Sequence, residues 1–259
     1  MKKISFKVIT LFPDLIRSYL ADALLSKAIA GGLIDLEIVD LRKFSQNKYN
    51  SVDDTLFGGG DGMLIQYKPL AESLKSLPTS DQRKIVYLSP QGKKWDHSLA
   101  KKWSEENEII LICGRYAGID QRFIHQFVDE EISIGDFVLS GGELPALTLI
   151  ESISRFIPGV LGHAQSADLD SFESHLLEAP QFSKPQIEDG LAVPEVLLSG
   201  NHQKISVWKK MTAILTTYKK RPDLLADQKI DWAKVQLFYK NMSESDKDIL
   251  GLKDLEIKI

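Results

Sequence analysis

Two hydrophobic periods take turns along this chain. Residues 4–12 (ISFKVITLF) and 33–41 (LIDLEIVDL) carry the β-branched and alternating apolar positions of strands. Between them Leu15, Tyr19, Leu20, Ala23 and Leu24 repeat at helical spacing over residues 14–30, closed by Gly31-Gly32. The polar stretch 42–63 predicts a long loop, and a helix is expected from near Pro69. A strand over 85–88, a helix over 96–105, a strand over 108–113 and a helix over 118–127 follow. A strand is then predicted over 131–139, with Val138 and Leu139 in its apolar pattern, running into Ser140-Gly141-Gly142. Past that turn Leu147, Ile150, Ile153 and Ile157 recur every three or four residues, with Pro145 in the first turn and Pro158-Gly159 as the stop. Strands alternating with helices predict an α/β domain over residues 1–158, built on a mainly parallel sheet covered on both faces.

After Pro158 the pattern weakens. Residues 159–170 (GVLGHAQSADLD) are mostly small or polar and predict a flexible linker. Asp170-Ser171-Phe172-Glu173 has the spacing of a capped helix start. Pro180, Pro185 and Pro194 then cut the chain into extended pieces. From Asn201, Trp208, Met211, Leu215 and Tyr218 mark a helix, and residues 171–259 are expected to form a smaller helical domain.

Composition narrows the classes. The chain has 259 residues, 43% of them hydrophobic and 26% charged, which suits a soluble globular protein. No apolar run is long enough to span a bilayer, and the opening run, interrupted by Lys7, is too short for a signal-peptide core. Cys113 is the only cysteine, so no intrachain disulfide can form and a cytoplasmic home is expected. The five histidines lack metal-ligand spacing, so no metal site is expected from the residues themselves. The net charge of −4 gives no global field for nucleic acid. Local clustering does: Lys204, Lys209, Lys210, Lys219, Lys220 and Arg221 occur with no acid between Ser199 and Pro222. That segment is either a solvated helix face or a set of phosphate contacts.

Three glycine-bearing loops should meet at one edge of the sheet. They are Leu88-Ser89-Pro90-Gln91-Gly92, Cys113-Gly114-Arg115-Tyr116-Ala117-Gly118-Ile119-Asp120, and residues 134–142. None has the GxGxxG or GxxxxGK[ST] form of a phosphate cradle. The expected ligand is therefore one held by backbone and apolar contact, such as an adenosine.

The motifs LSPQGKK, CGRYAGIDQR, DEEISIGDFVLSGGELPALTLI, SRFIPGVLG and LLSGNH stand in this order, with ITLFP and VDDTLFGGGDGM upstream and RPDLL downstream. Together they resemble the bacterial tRNA (guanine-N1)-methyltransferases of the SPOUT class over nearly the whole chain. The resemblance implies a sheet threaded into a deep trefoil knot, against the usual rule of unknotted topology. It implies methyl transfer from S-adenosyl-L-methionine to N1 of guanosine 37, next to the tRNA anticodon. It also implies a homodimer whose active sites are shared between subunits. The donor-contacting residues would be Gly114, Ile134, Gly135, Asp136, Phe137, Val138 and Leu139, completed by Tyr87, Leu88, Ser89, Gln91 and Gly141.

The reaction sets its own requirements. Guanine N1 carries a proton at neutral pH, so a general base must take it, and a cation must meet the charge that develops on O6. By resemblance Asp170 is that base and Arg155 that cation. From the residues alone, Asp170 fits a helix cap and Arg155 a last-turn cation that favours the helix dipole. Asp53, beside the glycines of 58–62, and the helix residues Lys204, Lys209 and Lys210 are the expected RNA contacts. Mg²⁺ enters only through the resemblance. In one place the chain departs from the family pattern: Ala117 stands where the family has Glu. Two other readings stay open. One is a module that binds RNA and donor but transfers methyl poorly; the other is a related SPOUT enzyme acting on a different RNA.

Overall fold

The computed structural model describes residues 3–78, 82–161 and 170–257. The chain divides into two compact units, Met1–Ala164 and Gln165–Ile259.

The first unit is built on five parallel strands: β1 (Ile4–Thr10), β2 (Ile34–Asp40), β5 (Arg83–Lys94), β6 (Glu108–Cys113) and β7 (Glu130–Ser133). Their order across the sheet is β2-β1-β6-β5-β7. Alternation along the strands sends side chains to both faces, and both faces are apolar. Phe6, Val8, Val86, Leu88, Ile109 and Leu111 share one buried cluster. Ile9, Ile85, Tyr87, Ile110 and Ile112 share the other. The first face is covered by α1 (Pro13–Leu20), α2 (Ala23–Ala30), α4 (His97–Trp103) and α6 (Glu143–Ser154). The second is covered by α3 (Tyr67–Lys75) and α5 (Gln121–Phe127). A sheet covered on both sides leaves its strand ends as the accessible place for a ligand.

Several boundaries differ from the sequence expectation, each for a physical reason. The helix expected over 14–30 is two helices, because the buried positions Ile16, Leu20 and Leu25 slip from a spacing of four to five. The expected loop 42–63 contains a 3-10 turn, Leu41–Phe44, and the strand β3 (Asp53–Thr55), which pairs antiparallel with β4 (Met63–Ile65). The strand expected over 131–139 stops at Ser133, where its partner β5 stops at Lys94. Val138, expected as a strand residue, is 84% exposed and Phe137 54% exposed. No helix follows Asp170: residues 171–174 turn, and Phe172 and His175 have positive φ, so the N-cap geometry is not formed. Most of the expected 159–170 linker, residues 162–169, lies outside the described residues.

The predicted strand 85–88 is the middle of a longer one. β5 pairs Leu88 with Ile132, then resumes by pairing Lys93 with the same Ile132. Residues 89–92 are thus looped out of the ladder as a bulge. Gly92 makes this possible: a Cβ there would stand 2.3 Å from the Ile132 nitrogen and 2.6 Å from the Glu131 oxygen.

The second unit carries the short hairpin β8 (Ile187–Glu188) and β9 (Leu191–Ala192), then α7 (Glu195–Leu198), α8 (His202–Lys220), α9 (Trp232–Asn241) and α10 (Glu244–Ile249). Asn201 caps α8, its side chain accepting from the Lys204 N–H at 3.1 Å. Met211, Ile214 and Leu215 pack with Val235, Met242 and Leu252 in its core. Trp208 is buried, and Tyr218 meets the Trp232 ring edge-on at 5.2 Å, so both serve packing.

Gly92→Ala should destabilise the first unit by about 2 kcal/mol or more, since the clash is with backbone and cannot be relieved by a rotamer. A fall in the thermal midpoint measured by circular dichroism checks this; an unchanged midpoint would show that the bulge can open.

Candidate active site

β5, β6 and β7 end side by side, and their loops enclose a cavity of about 270 Å³. Its walls are the β5 bulge, the loop after β6 and the loop from β7 into α6. Tyr87, Leu88, Ser89, Gln91, Gly114, Ile134, Gly135, Phe137, Val138, Leu139 and Gly141, all expected from the sequence, line this one cavity. Asp136 does not: it is exposed and lies outside the lining. Arg115, Tyr116, Ala117, Ser140, Gly142 and Pro145 also form the walls. The sequence pointed to these only through the loops that carry them. Tyr116, two residues from Gly114 and from Gly118, has a positive φ of 61°, a strained backbone of the kind found at ligand sites.

The lining suits an uncharged heterocycle with a small polar fringe. Leu88, Ile134 and Leu139 supply apolar surface, while the loops supply backbone donors and acceptors. The Ser89 hydroxyl is turned inward on its own bulge, accepting from the Gln91 N–H at 3.1 Å. Among the described residues Arg115 is the only basic side chain in the walls, and Glu143 neutralises it at 3.0 Å. An adenosine-bearing donor fits the chemistry of these walls.

Two titratable groups in this region are held neutral. Burial, then the negative charge of Glu131, push the Tyr87 phenol up, against a smaller opposing hydrogen bond to the Ile119 backbone. Burial, reinforced by Glu143, pushes the Cys113 thiol well up, with Arg115 opposing. Cys113 is 1% exposed and packs in the core as a small hydrophobe.

The other expected residues are spread over both units. Arg155 caps the C-terminal end of α6 and is half-buried. Pro145, which lines the cavity, is ten residues earlier in α6, so about 15 Å separate the two along the helix axis. That is further than an arginine side chain reaches, so the structure does not bring Arg155 into the cavity of its own chain. Asp170 is half-buried in the second unit. Asp53 opens β3 and accepts from the Ser51 hydroxyl at 3.1 Å. Lys209 and Lys210 are exposed on α8. Lys204 lines a second cavity of about 810 Å³, together with Trp208, Phe238 and Met242. Arg221 differs from the expected open basic run: it pairs with Asp223 at 2.6 Å. Lys219 donates to the Gly251 carbonyl.

The hairpin carrying the glycine-rich loop is tied to the cavity. Ala117 N–H donates to the Met63 carbonyl at 2.9 Å, and Ile65 N–H to the Gly118 carbonyl at 3.0 Å. Ala117 therefore sits between the cavity and the 58–62 loop, where a longer side chain would touch both.

Among the described residues no group of three or more His, Cys, Asp or Glu could hold a metal ion, and no helix is long and apolar enough to cross a membrane.

The parallel sheet, its bulged strand and the loop-lined cavity at the strand ends, taken with the sequence matches, define a methyltransferase of the SPOUT class. Residues 4–227 match the family profile described as tRNA (Guanine-1)-methyltransferase TrmD. A protein of Clostridioides difficile (strain 630) named tRNA (guanine-N(1)-)-methyltransferase is 46% identical over 222 residues, covering 85% of this chain and 96% of that protein. One of the same name from Pseudoalteromonas translucida (strain TAC 125) is 44% identical over 242 residues, covering 93% and 95%. A third, from Caldicellulosiruptor saccharolyticus, is 43% identical over 245 residues, covering 95% and 99%. The chain belongs to the tRNA (guanine-1)-methyltransferase family.

Cys113 should resist alkylation in the folded protein even at pH 9, since both its burial and its raised pKa keep it a protonated thiol. Labelling with iodoacetamide, followed by mass spectrometry, checks this. Modification as fast as in urea would mean that the strand end opens.

Proposed function

We propose that this protein transfers the methyl group of S-adenosyl-L-methionine to N1 of guanosine 37 in tRNA, in the cytoplasm, as a homodimer with shared active sites. The observation that carries the reading is the convergence on one cavity of loops far apart in sequence, in a member of this family. The walls fit an adenosine by backbone and apolar contact, and the trefoil knot of the class would hold the donor bent. When bound, the donor supplies an electrophilic methyl group on its sulfonium.

The chain's own residues do the rest. Asp170 accepts the N1 proton and later releases it to water. Arg155 faces O6 and meets the charge that develops there as the proton leaves. The distance along α6 between Arg155 and the cavity supports service to the donor held by the partner subunit. The base next to the anticodon stacks on its loop neighbours and must be presented unstacked, so a flipped guanine is expected. Asp53 and the loop beside it would steady the RNA near the target base, and Lys204, Lys209 and Lys210 would meet its phosphates.

The test is methyl transfer from labelled donor to unmodified tRNA carrying guanosine at 36 and 37, with the modified nucleotide mapped. Asp170→Ala should lower the rate by about 10²–10⁴-fold. Arg155→Ala should lower it by about 10²–10³-fold. Both should still bind S-adenosylhomocysteine. Methyl found on another nucleotide would favour the related enzyme with a different RNA. No incorporation by the wild type, restored by Ala117→Glu, would favour the binding module. Titrating Mg²⁺ in the same assay measures how the missing carboxylate at 117 alters the metal response.

The lysines make a separate prediction. Lys209→Ala with Lys210→Ala should weaken tRNA binding and reduce the slope of log affinity against log salt by about 2. Filter binding at several salt concentrations reads this slope, and an unchanged slope would return both lysines to a solvated face.

A further inference from the structure

One charge pair at the cavity wall has no part in the chemistry above. Arg115 Nε donates to Glu143 Oε2 at 3.1 Å, and Nη2 stands 3.0 Å from the same oxygen as an ion pair. Glu143 is the first residue of α6 and only 2% exposed. Its second oxygen, Oε1, accepts from the Thr10 hydroxyl at 2.7 Å. That hydroxyl accepts from the Phe12 N–H at 2.9 Å, and the Arg115 guanidinium lies 4.3 Å from the Phe12 ring centroid. The contacts thus join the end of β1, the loop after β6 and the start of α6. Beside them Gly142 N–H donates to the Gly114 carbonyl at 3.0 Å, and Arg115 bridges to Gly141. A Cβ on Gly141 would stand 2.2 Å from Arg115 Nε and 2.6 Å from Glu143 Oε2, so the turn accommodates the pair only as glycine.

We infer that the Arg115–Glu143 pair is the positioning element of the donor cavity. It sets the separation between the 114–118 and 140–142 walls, so that the backbones of Gly114 and Gly141 meet the donor at one distance. This rests on the reading of the cavity as the donor's. Stability is a poor reason for such a pair, because the cost of desolvating two buried charges offsets most of their attraction, and apolar side chains of similar volume would fill the space as well. Apolar side chains lack direction. The charge-assisted contacts of a planar guanidinium fix both distance and angle. These two walls have no regular strand ladder between them, so their spacing depends on contacts of this kind.

Three variants separate positioning from stability. Arg115→Lys keeps the charge and loses the fork. Glu143→Gln keeps the Thr10 contact and loses the charge. Arg115→Met with Glu143→Leu removes both charges and keeps the volume. The readouts are the thermal midpoint, calorimetric affinity for S-adenosylhomocysteine, and KM for tRNA. The paired apolar variant should melt at or above the wild-type midpoint. It and Arg115→Lys should bind S-adenosylhomocysteine about tenfold or more weakly, with KM for tRNA unchanged. Folded Arg115→Lys with wild-type affinity would overturn the inference, as would an affinity loss that merely tracks the midpoint across the three variants. Wild-type protein that binds no S-adenosylhomocysteine would sink the donor reading and this inference together. That outcome is distinct from a variant that binds as well as the wild type.

Discussion

The pairing of β5 with both its neighbours is the constraint on which the rest depends. β6 holds it on one side in unbroken register through Leu88 and Cys113, while β7 holds it on the other with four residues displaced. A strand that must satisfy both ladders can shed the excess only as a bulge, and the bulge must lie where β6 has already ended. That places Ser89, Pro90 and Gln91 over the strand ends, facing the loops that follow β6 and β7. The cavity follows from the mismatch in register.

Charge is managed in the same region with little left over. Arg115 is neutralised by Glu143, Tyr87 and Cys113 stay protonated, and the walls otherwise offer backbone and apolar surface. Such a lining favours a ligand whose recognition is by shape and hydrogen bonding. A donor with a neutral base and no phosphate meets that description better than a nucleotide phosphate. Arg155, proposed for charge stabilisation, is not among the residues that line these walls.

The glycine-rich loop and the cavity are mechanically joined. β4 exchanges backbone hydrogen bonds with residues 117–120, so a movement of the hairpin is felt at Ala117 and Gly118. Ala117 is the residue through which such a movement would reach the cavity walls.

The sequence by itself determined the alternation of strands and helices, the parallel sheet, and the loops that would carry the site, because these depend on local periodicity and on where glycine and proline interrupt it. Strands such as 108–113 were legible for that reason. The family resemblance added the assignment of individual residues, most of which share the cavity. Other features depend on partners distant in the chain. Val138 and Leu139 are apolar enough for a strand, yet β7 ends at Ser133 because β5 offers no further ladder. Asp170 has the sequence of a cap, yet no helix follows it. Arg115 and Glu143 are 28 residues apart, one in the loop after β6 and the other in the first turn of α6. Their pairing depends on connections that leave β6 and β7, on either side of β5, meeting at one edge of the sheet, a geometry that no local pattern encodes.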